Sequence, residues 1–237
     1  DVTTDAVPEE VETIFPRTYP TGKEFGTITV AVGTELFEVT TMRQDGAYSD
    51  QRRPDLVIYT KDIHEDLKRR DFTINAIAFD PDSQRYLDPF GGLRDMRRRR
   101  LRTVGPPEHR FYEDPLRMLR LLRFMAVLEF KADRAALAAI KPEAIRTVSH
   151  ERIRDELAKL LLAPNPRPAL EAMFTVGIMK EILPELAAGA GVPQGEMHRW
   201  DVLGHTLRCV EAIKPELHLR LAALFHDVGK PSTFTDA

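Results

Sequence analysis

The sequence predicts an α+β fold in which a mixed-sheet head is followed by helices. Strand patterns, in which apolar and polar residues alternate, are confined to the chain before Gly105. Beyond that residue the apolar residues recur at helical spacing. We therefore expect residues 1–105 to form the head, residues 106–186 a helical neck, and residues 187–237 a linker and a further, partial helical domain.

Two alternating segments give the clearest strand signal. Residues 27–32 and 36–41 are joined by Gly33-Thr34-Glu35 and predict a β-hairpin, with Glu38 between two apolar residues of the second strand. The apolar residues 56–59 predict another strand, and residues 75–79 (NAIAF) predict a short buried strand. The charged loop before residue 56 is long enough to be mobile.

Residues 111–130 predict one long helix. Leu116, Leu119, Leu122 and Met125 form an apolar stripe, and Pro115 suits the first helical position because its missing N–H costs nothing there. Amphipathic patterns predict further helices, and glycines at 187–195 predict a linker. These helices are expected at residues 134–140, 149–162, 168–183, 202–214 and 216–225.

Asp114 and Arg117 lie three residues apart at the start of this helix, so their side chains are neighbours. An ionised Asp only accepts hydrogen bonds, and an Arg only donates them. Cytosine and adenine present the complement, an exocyclic amino donor beside a ring-nitrogen acceptor, whereas uracil and guanine present the reverse. The pair could therefore admit C and A. Alternatively, Asp114 is a helix N-cap, which is the commoner role on the residues alone.

Composition and cysteine content restrict the class of protein. The 237 residues, 43% of them hydrophobic, suit one large or two modest domains. No apolar run reaches the roughly 18 residues of a membrane span, and the first residues lack the features of a signal peptide, so we expect a cytoplasmic protein with no membrane partner. The single cysteine, Cys209, allows no internal disulfide, and we expect it to fill the core.

The charge is unevenly distributed. The net charge is −3, but residues 85–123 hold eleven arginines, no lysine and five acids. Arginine forks fit phosphate and stack on bases, so this segment is a candidate phosphate or RNA face. For residues 97–100 a merely solvated basic face is an equal alternative.

Several motifs in unbroken order, from Asp1 to about Leu186, resemble the class II tRNA nucleotidyltransferase and bacterial poly(A) polymerase family. The resemblance implies a polymerase-β-like nucleotidyltransferase head, a nucleobase-binding neck, and addition of C, C and A, or A alone, to RNA 3′ ends. The motifs are DVTTDAVPEEV, PTGKEFGTITV, FEVTTMR with DGAYSDQRRPD, RRDFTINAIAFD, DPFGGLRD with LRTVG, and EDPLRMLRLLRF.

The resemblance also implies a catalytic metal site for two Mg²⁺ ions. Asp1 matches the second carboxylate of the family's Asp-x-Asp pair, and Glu38 matches the third metal carboxylate on the following strand. The family's Gly-Gly turn and first metal Asp would lie upstream of Asp1. We therefore expect the chain as given to be a fragment, truncated at both ends, and inactive by itself.

Nucleotide-binding residues follow from the same resemblance. The motif at residues 69–73 contacts ribose and triphosphate in the family, and Asp114 with Arg117 is the amino-acid template for the incoming base. Residues 45–55 resemble the flexible loop needed to switch from CTP to ATP. The implied nucleotide-binding residues are Arg69, Arg70, Asp71, Asp114, Arg117 and Arg120, the last near phosphate.

The last residues resemble the beginning of an HD domain, a helical metal-dependent phosphohydrolase fold. The resemblance rests on AALFHDVGK and on His205. It implies His205, His226 and Asp227 as ligands of a divalent transition metal, which imidazole and carboxylate groups suit. Core or surface histidines are the alternative.

Together these features favour a template-independent RNA nucleotidyltransferase that adds C, C and A to tRNA 3′ ends from CTP and ATP, releasing pyrophosphate by a two-metal mechanism. A poly(A) polymerase, or a CC-only or A-only enzyme, is the alternative within the family. An HD-type phosphohydrolase with an RNA-binding head and an inactive RNA-binding remnant are alternatives of other classes. The sequence leaves the oligomeric state open.

Overall fold

A computed structural model divides the chain into two compact units, Asp1–Gly92 and Leu93–Ala237. The structure describes residues 1–45, 57–194 and 199–233. The predicted α+β class is confirmed, with the strands of the main sheet all in the first unit. The finer division at residues 105 and 186 stays a prediction. No helix among the described residues is long and apolar enough to span a membrane.

The first unit is built from short strands and two helices. The strands are β1 (Val2–Thr4), β2 (Thr18–Gly22), β3 (Thr27–Val32), β4 (Glu35–Thr41), β5 (Arg43–Asp45), β6 (Val57–Tyr59), β7 (Ala78–Asp80) and β8 (Arg85–Leu87), and the helices are α1 (Pro8–Ile14) and α2 (Ile63–Lys68), with 3₁₀ turns at Lys23–Phe25 and Thr73–Asn75.

The predicted hairpin is the centre of a four-stranded sheet with strand order β1-β4-β3-β2. Strand β3 is antiparallel to β4 and β2, whereas β1 runs parallel to β4. Gly33 adopts a positive φ of 61° in the turn, which glycine does without strain. The alternation directs Ile28, Val30 and Val39 to one face, where they are buried with Val11 of α1.

Two other strand predictions have different outcomes. The strand at residues 56–59 is confirmed as β6, which pairs with β5. The prediction of a buried strand at residues 75–79 is wrong, because the segment is a 3₁₀ turn followed by β7, which pairs with β8 outside the main sheet. Phe79 is consequently 48% exposed and packs on Tyr86. A short apolar run does not reveal whether another layer covers it. Residues 43–45 of the predicted mobile loop form β5, whereas residues 46–55 of the loop and Leu56 of the predicted strand lie outside the described residues.

The second unit is mostly helical. Its helices are α3 (Gly92–Arg97), α4 (Pro107–Glu113), α5 (Leu116–Leu128), α6 (Arg134–Ala138), α7 (His150–Leu161), α8 (Arg167–Thr175), α9 (Ile178–Ile182), α10 (Pro184–Ala187), α11 (Val202–Ala212), α12 (Leu217–Phe225) and α13 (Lys230–Thr233), with short strands β9 (Arg100–Leu101) and β10 (Lys131–Ala132) and a 3₁₀ turn at Pro142–Thr147.

The prediction of one helix over residues 111–130 is wrong, because the segment holds the end of α4 and all of α5. Asp114 has extended backbone angles, φ −146° and ψ 102°. The ring of Pro115 disfavours helical conformation in the preceding residue, so α4 ends at Glu113. The predicted apolar stripe is confirmed for Leu116, Leu119 and Leu122, which are buried, whereas Met125 is half-buried.

Helix α5 is the central helix of the second unit and packs against α7 and α8. The helices predicted at 134–140, 149–162, 202–214 and 216–225 are confirmed as α6, α7, α11 and α12. The helix predicted over residues 168–183 is wrong as a single element, because Gly177, at φ 86°, separates α8 from α9. The predicted linker is folded up to residue 194, and the carbonyl of Gly189 accepts the N–H of Leu203.

The close approach of Gly92 to the backbone of Thr73 generates a stability prediction. A Cβ on Gly92 would lie 2.0 Å from the Thr73 carbonyl oxygen, whereas nothing lies within 4 Å of a Cβ on Gly229. We expect Gly92→Ala to destabilise the full-length protein by about 1–3 kcal/mol through overpacking, and Gly229→Ala by less than about 0.5 kcal/mol. Urea unfolding of both variants measures the difference, and equal destabilisation would contradict this account of the contact.

Candidate functional site

The two carboxylates expected to bind Mg²⁺ lie side by side on the main sheet. Val2 of β1 pairs with Val39 of β4, and the parallel register places Asp1 beside Glu38 one position earlier. Both line a cavity of about 680 Å³. Adjacent strands are about 5 Å apart, close enough for both carboxylates to approach one ion, and carboxylate oxygens are the ligands that Mg²⁺ prefers. The donor atoms therefore fit a magnesium site.

Three hydroxyl side chains that sequence reasoning missed line the same cavity. Thr29 of β3 pairs directly with Glu38, and Tyr19 of β2 pairs with Thr29. Thr21 contributes the third hydroxyl, 2.6 Å from that of Thr29. The sequence held one signal for Thr29: it alternates with the apolar residues of β3, so it must face away from the core.

Arg69 and Arg70 are held together by Asp66 at the end of α2. Asp66 Oδ1 accepts from Nε and Nη2 of Arg69 at 2.9 and 2.7 Å, and Oδ2 accepts from Nη2 of Arg70 at 3.0 Å. Asp66 is fully buried, whereas the arginine side chains remain partly exposed. The two predicted phosphate ligands therefore share one buried anchor, which sequence reasoning also missed.

Asp66 stays ionised in spite of its burial. Burial alone would raise its pKa, but the positive charges and hydrogen bonds of Arg69 and Arg70 outweigh burial and hold the pKa below the ordinary aspartate value. Asp71, the third predicted residue of this motif, uses its Oδ1 to accept from the Phe72 N–H at 2.8 Å and from Asn75 Nδ2 at 3.0 Å. Contact of Asp71 with a nucleotide stays a prediction.

The side chain of Asp114 caps α5, as the alternative interpretation held, although the N-cap position itself is occupied by Pro115, with φ −59° and ψ −21°. Its Oδ1 accepts from the backbone N–H of Leu116 at 3.1 Å, and its Oδ2 accepts from Nη2 of Arg152 at 2.7 Å. A carboxylate has about four acceptor sites, so these two contacts leave it able to accept further hydrogen bonds. Capping and base recognition are therefore compatible uses of this side chain.

Arg117 is buried and tied to the preceding helix. Its Nη1 donates to Glu113 Oε2 at 2.6 Å and to the carbonyl of Arg110 at 3.1 Å. Glu113 also pairs with Arg110, so one carboxylate holds two guanidinium groups. Asp114 thus contacts residues that follow the break at Pro115, whereas Arg117 contacts residues of α4, which precede it.

Helix α7 supplies two orienting residues that the sequence did not reveal. Arg152 binds Asp114, and Glu156, one helical turn further on, binds Arg123 at 2.5 Å and lies 3.7 Å from Arg120. Glu156 is 4% exposed. Arg120, expected near phosphate, therefore lies against an acidic partner on α7. The contact was not predictable because the partners are more than 30 residues apart in the sequence.

Much of the arginine-rich segment is paired with acids. Besides the contacts above, Arg102 pairs with Asp95, and Arg100 pairs with Asp133. Residues 97–100 are exposed. Both interpretations of this short run, an RNA face and a solvated face, remain open.

The histidines expected to bind a transition metal cluster between α11 and α12. His205 Nε2 lies 3.3 Å from His226 Nε2, and Asp227 Oδ2 lies 3.2 Å from His226 Nε2. His226 Nδ1 donates to the carbonyl of Ala223 at 2.7 Å, which leaves Nε2 as the acceptor that a metal requires. Cys209, expected only as core filler, is half-buried and has its sulfur 3.4 Å from His205 Nε2.

Two family models match the chain. The Poly A polymerase head domain matches residues 1–102, and the model described as the probable RNA and SrmB-binding site of polymerase A matches residues 130–189. Residues 1–102 therefore belong to the poly(A) polymerase head-domain family. The family resemblance seen in the motifs is thereby confirmed.

Individual relatives agree with these two matches. A CCA-adding enzyme of Bacillus licheniformis is 49% identical over 185 residues, which are 77% of this chain and 46% of the relative. The crystal structure of the Bacillus stearothermophilus CCA-adding enzyme in complex with CTP superposes with a TM-score of 0.71 at 35% identity, covering 92% of this chain and 56% of that one. The chain thus spans about half the length of the curated relatives it matches.

A second similar structure is a tRNA nucleotidyltransferase complexed with a primer tRNA and an incoming ATP analogue. It superposes with a TM-score of 0.62 at 26% identity and covers 92% of this chain and 62% of that chain. The mixed-sheet head and helical units of this chain are therefore those of nucleotidyltransferases.

The buried Asp66 anchor predicts a loss of stability in acid. Because the folded pKa lies below the unfolded value of about 4, the ion pairs contribute fully above pH 4, and the contribution is lost as the pH falls through the folded pKa. We expect Asp66→Asn to cost roughly 3 kcal/mol at pH 7 in the full-length protein and to flatten the acid limb of its stability. Urea unfolding between pH 7 and pH 3 measures both effects.

Glu65→Gln is the matched control, because Glu65 lies on the same helix and pairs with exposed Lys68. It should leave stability within about 0.5 kcal/mol of wild type. Equal behaviour of the two variants would show that Asp66 does not anchor the arginines.

Proposed function

We propose that the protein containing this chain is a tRNA nucleotidyltransferase that adds C, C and A to tRNA 3′ ends from CTP and ATP. The observation that carries the proposal is the 49% identity to a CCA-adding enzyme, joined to paired carboxylates Asp1 and Glu38 on one sheet face. The 3′-hydroxyl oxygen loses its proton to water and forms a bond to the α-phosphorus, the bond from that phosphorus to the bridging oxygen breaks, and pyrophosphate leaves. A cytoplasmic location accords with such a substrate.

Residues of the first unit would handle the phosphates. Asp1 and Glu38 would hold Mg²⁺, whose positive charge when bound stabilises the negative charge on the reacting oxygens. Arg69 and Arg70 would donate to the triphosphate, and the Asp66 anchor would keep their guanidinium groups oriented before the nucleotide arrives.

Residues of the second unit would select the base. Asp114 would accept from the exocyclic amino group of cytosine or adenine, and Arg117 would donate to the adjacent ring nitrogen. Uracil and guanine would place an acceptor against the Asp114 carboxylate and a donor against the Arg117 guanidinium, and a mismatch of this kind allows discrimination of about 10⁴ to 10⁵. Arg152 and Glu113 support this role because they hold the two side chains in place.

The products formed on tRNA lacking CCA distinguish the members of the family. A CCA-adding enzyme adds C residues with CTP alone and completes CCA with both nucleotides. A CC-only enzyme never adds the final A, an A-only enzyme requires a tRNA already ending in CC, and a poly(A) polymerase extends RNA with ATP alone. Sequencing the products of the full-length protein under the three conditions tests the proposal, and long A tails without C addition would overturn it.

Removal of the Asp114 carboxylate predicts a change in nucleotide selection. Asp114→Ala should reduce the preference for CTP and ATP over UTP and GTP by about 10- to 100-fold, because one charge-assisted hydrogen bond to the base is lost. Glu108→Ala, an exposed acid on α4, is the control. The measurement is incorporation of each nucleotide by the full-length protein, and an Asp114→Ala variant that still rejects UTP and GTP as wild type does would refute the template role.

The imidazole and carboxylate cluster favours a second candidate activity, metal-dependent phosphohydrolysis by an HD-type site. His205, His226 and Asp227 would hold a divalent transition metal, which the acceptor state of His226 Nε2 supports. The full-length protein would then release phosphate from p-nitrophenyl phosphate with added Mn²⁺ or Ni²⁺. His226→Ala should abolish this release without changing nucleotide addition. Hydrolysis that persists in His226→Ala would exclude the cluster as its source.

A further inference from the structure

The four-stranded sheet carries a straight row of polar side chains on the face opposite the core. The row crosses the sheet from β1 to β2. Thr29 is the register partner of both Glu38 and Tyr19, and Asp1 lies beside Glu38 because the next residues of the two strands, Val2 and Val39, are partners. Cross-strand neighbours have their Cβ atoms about 4.5–5.5 Å apart. The carboxylates therefore occupy one end of the row, and the hydroxyl groups occupy the other.

Thr29 is held in place by a second hydroxyl. Its Oγ1 lies 2.6 Å from Oγ1 of Thr21, which belongs to the neighbouring edge strand. A hydroxyl group has one donor and two acceptor sites, so this contact leaves Thr29 able to form another hydrogen bond. Thr29 is neither in the core nor fully exposed.

The cavity over this row has the chemistry of a nucleoside site. Its described lining consists of the two carboxylates, three hydroxyls, and apolar Leu36 and Phe37. About 680 Å³ is within the range of small-ligand sites, and the side chain of Leu36, which alternation places on the same face as Glu38, suits a base or sugar face. The described lining contains no lysine or arginine, so it does not by itself favour a triphosphate. A sugar with adjacent hydroxyls matches a carboxylate beside a threonine.

We propose that Thr29, positioned by Thr21, accepts or donates a hydrogen bond to the ribose 2′-hydroxyl of the terminal nucleotide of the RNA primer. The adjacent 3′-hydroxyl then lies toward Glu38 and Asp1. Tyr19 closes the far side of the sugar. The assignment rests on the proposed nucleotidyl transfer and adds to it a reason for preferring RNA to DNA as primer, since the 2′-hydroxyl distinguishes the two.

A ribose 2′-hydroxyl could also come from the incoming nucleotide, and two substrate pairs separate the sources. One pair is tRNA lacking CCA with a ribo or a 2′-deoxy 3′-terminal nucleotide, extended with CTP. The other is CTP against dCTP on the all-ribo tRNA. The quantity measured in each is the ratio of kcat/KM values for the full-length protein.

Thr29→Val removes the hydroxyl at nearly constant volume. We expect it to lower the ribo-to-deoxy primer ratio by about 3- to 10-fold, the effect of one neutral hydrogen bond, with the ratio of CTP to dCTP unchanged. Thr29→Ser restores a hydroxyl and should restore the primer ratio. Thr27→Val is the matched control, because Thr27 lies on the same strand and face, bonds Thr40 at 3.0 Å, and does not line the cavity.

Each other outcome is decisive. An unchanged primer ratio in Thr29→Val would overturn the assignment while leaving nucleotidyl transfer intact. A change confined to the ratio of CTP to dCTP would transfer the contact to the incoming nucleotide and overturn the primer assignment. Failure of the wild-type protein to extend tRNA at all would refute the proposed function, and this assignment with it.

Discussion

The period-two alternation of β3 and β4 is the constraint on which the first unit depends. Ile28, Val30 and Val39 must face α1 to be removed from water, and each buried side chain of this kind contributes roughly 1.5–3 kcal/mol. A shift of one residue in the register would bury Glu38 and expose the core. Apolar burial on one face therefore determines that the carboxylate and the hydroxyls lie together on the other.

The second unit depends on a break rather than on a regular element. Pro115 ends α4, and the carboxylate of Asp114 then caps α5 while Arg152 of α7 binds its other oxygen. In a continuous helix the backbone groups of Asp114 would form ordinary helical hydrogen bonds, and its side chain would cap no helix. The cap and the proposed base recognition thus both depend on the break at Pro115. Helix α5, which contains Arg117, begins directly after this break.

The sequence predicted the local features well and the non-local ones poorly. The hairpin and the placement of Glu38 follow from alternation within one short segment, and the apolar stripe on α5 follows from helical spacing within another. Two contacts join residues more than 30 positions apart, so no spacing rule reveals them. One is the parallel pairing of β1 with β4, which brings Asp1 beside Glu38, and the other is the contact of Arg152 with Asp114. The exposure of Phe79 escaped prediction because burial depends on which layer covers a strand, and the expected role of Asp1 came from family resemblance alone.

We propose that Asp114 recognises the exocyclic amino group of cytosine and adenine. The most direct measurement is incorporation, by the full-length protein, of a CTP analogue in which hydrogen replaces that amino group. For the wild-type protein we expect kcat/KM for the analogue to be about 10- to 100-fold lower than kcat/KM for CTP. In Asp114→Ala most of this difference should disappear. Equal use of CTP and the analogue by the wild-type protein would contradict it.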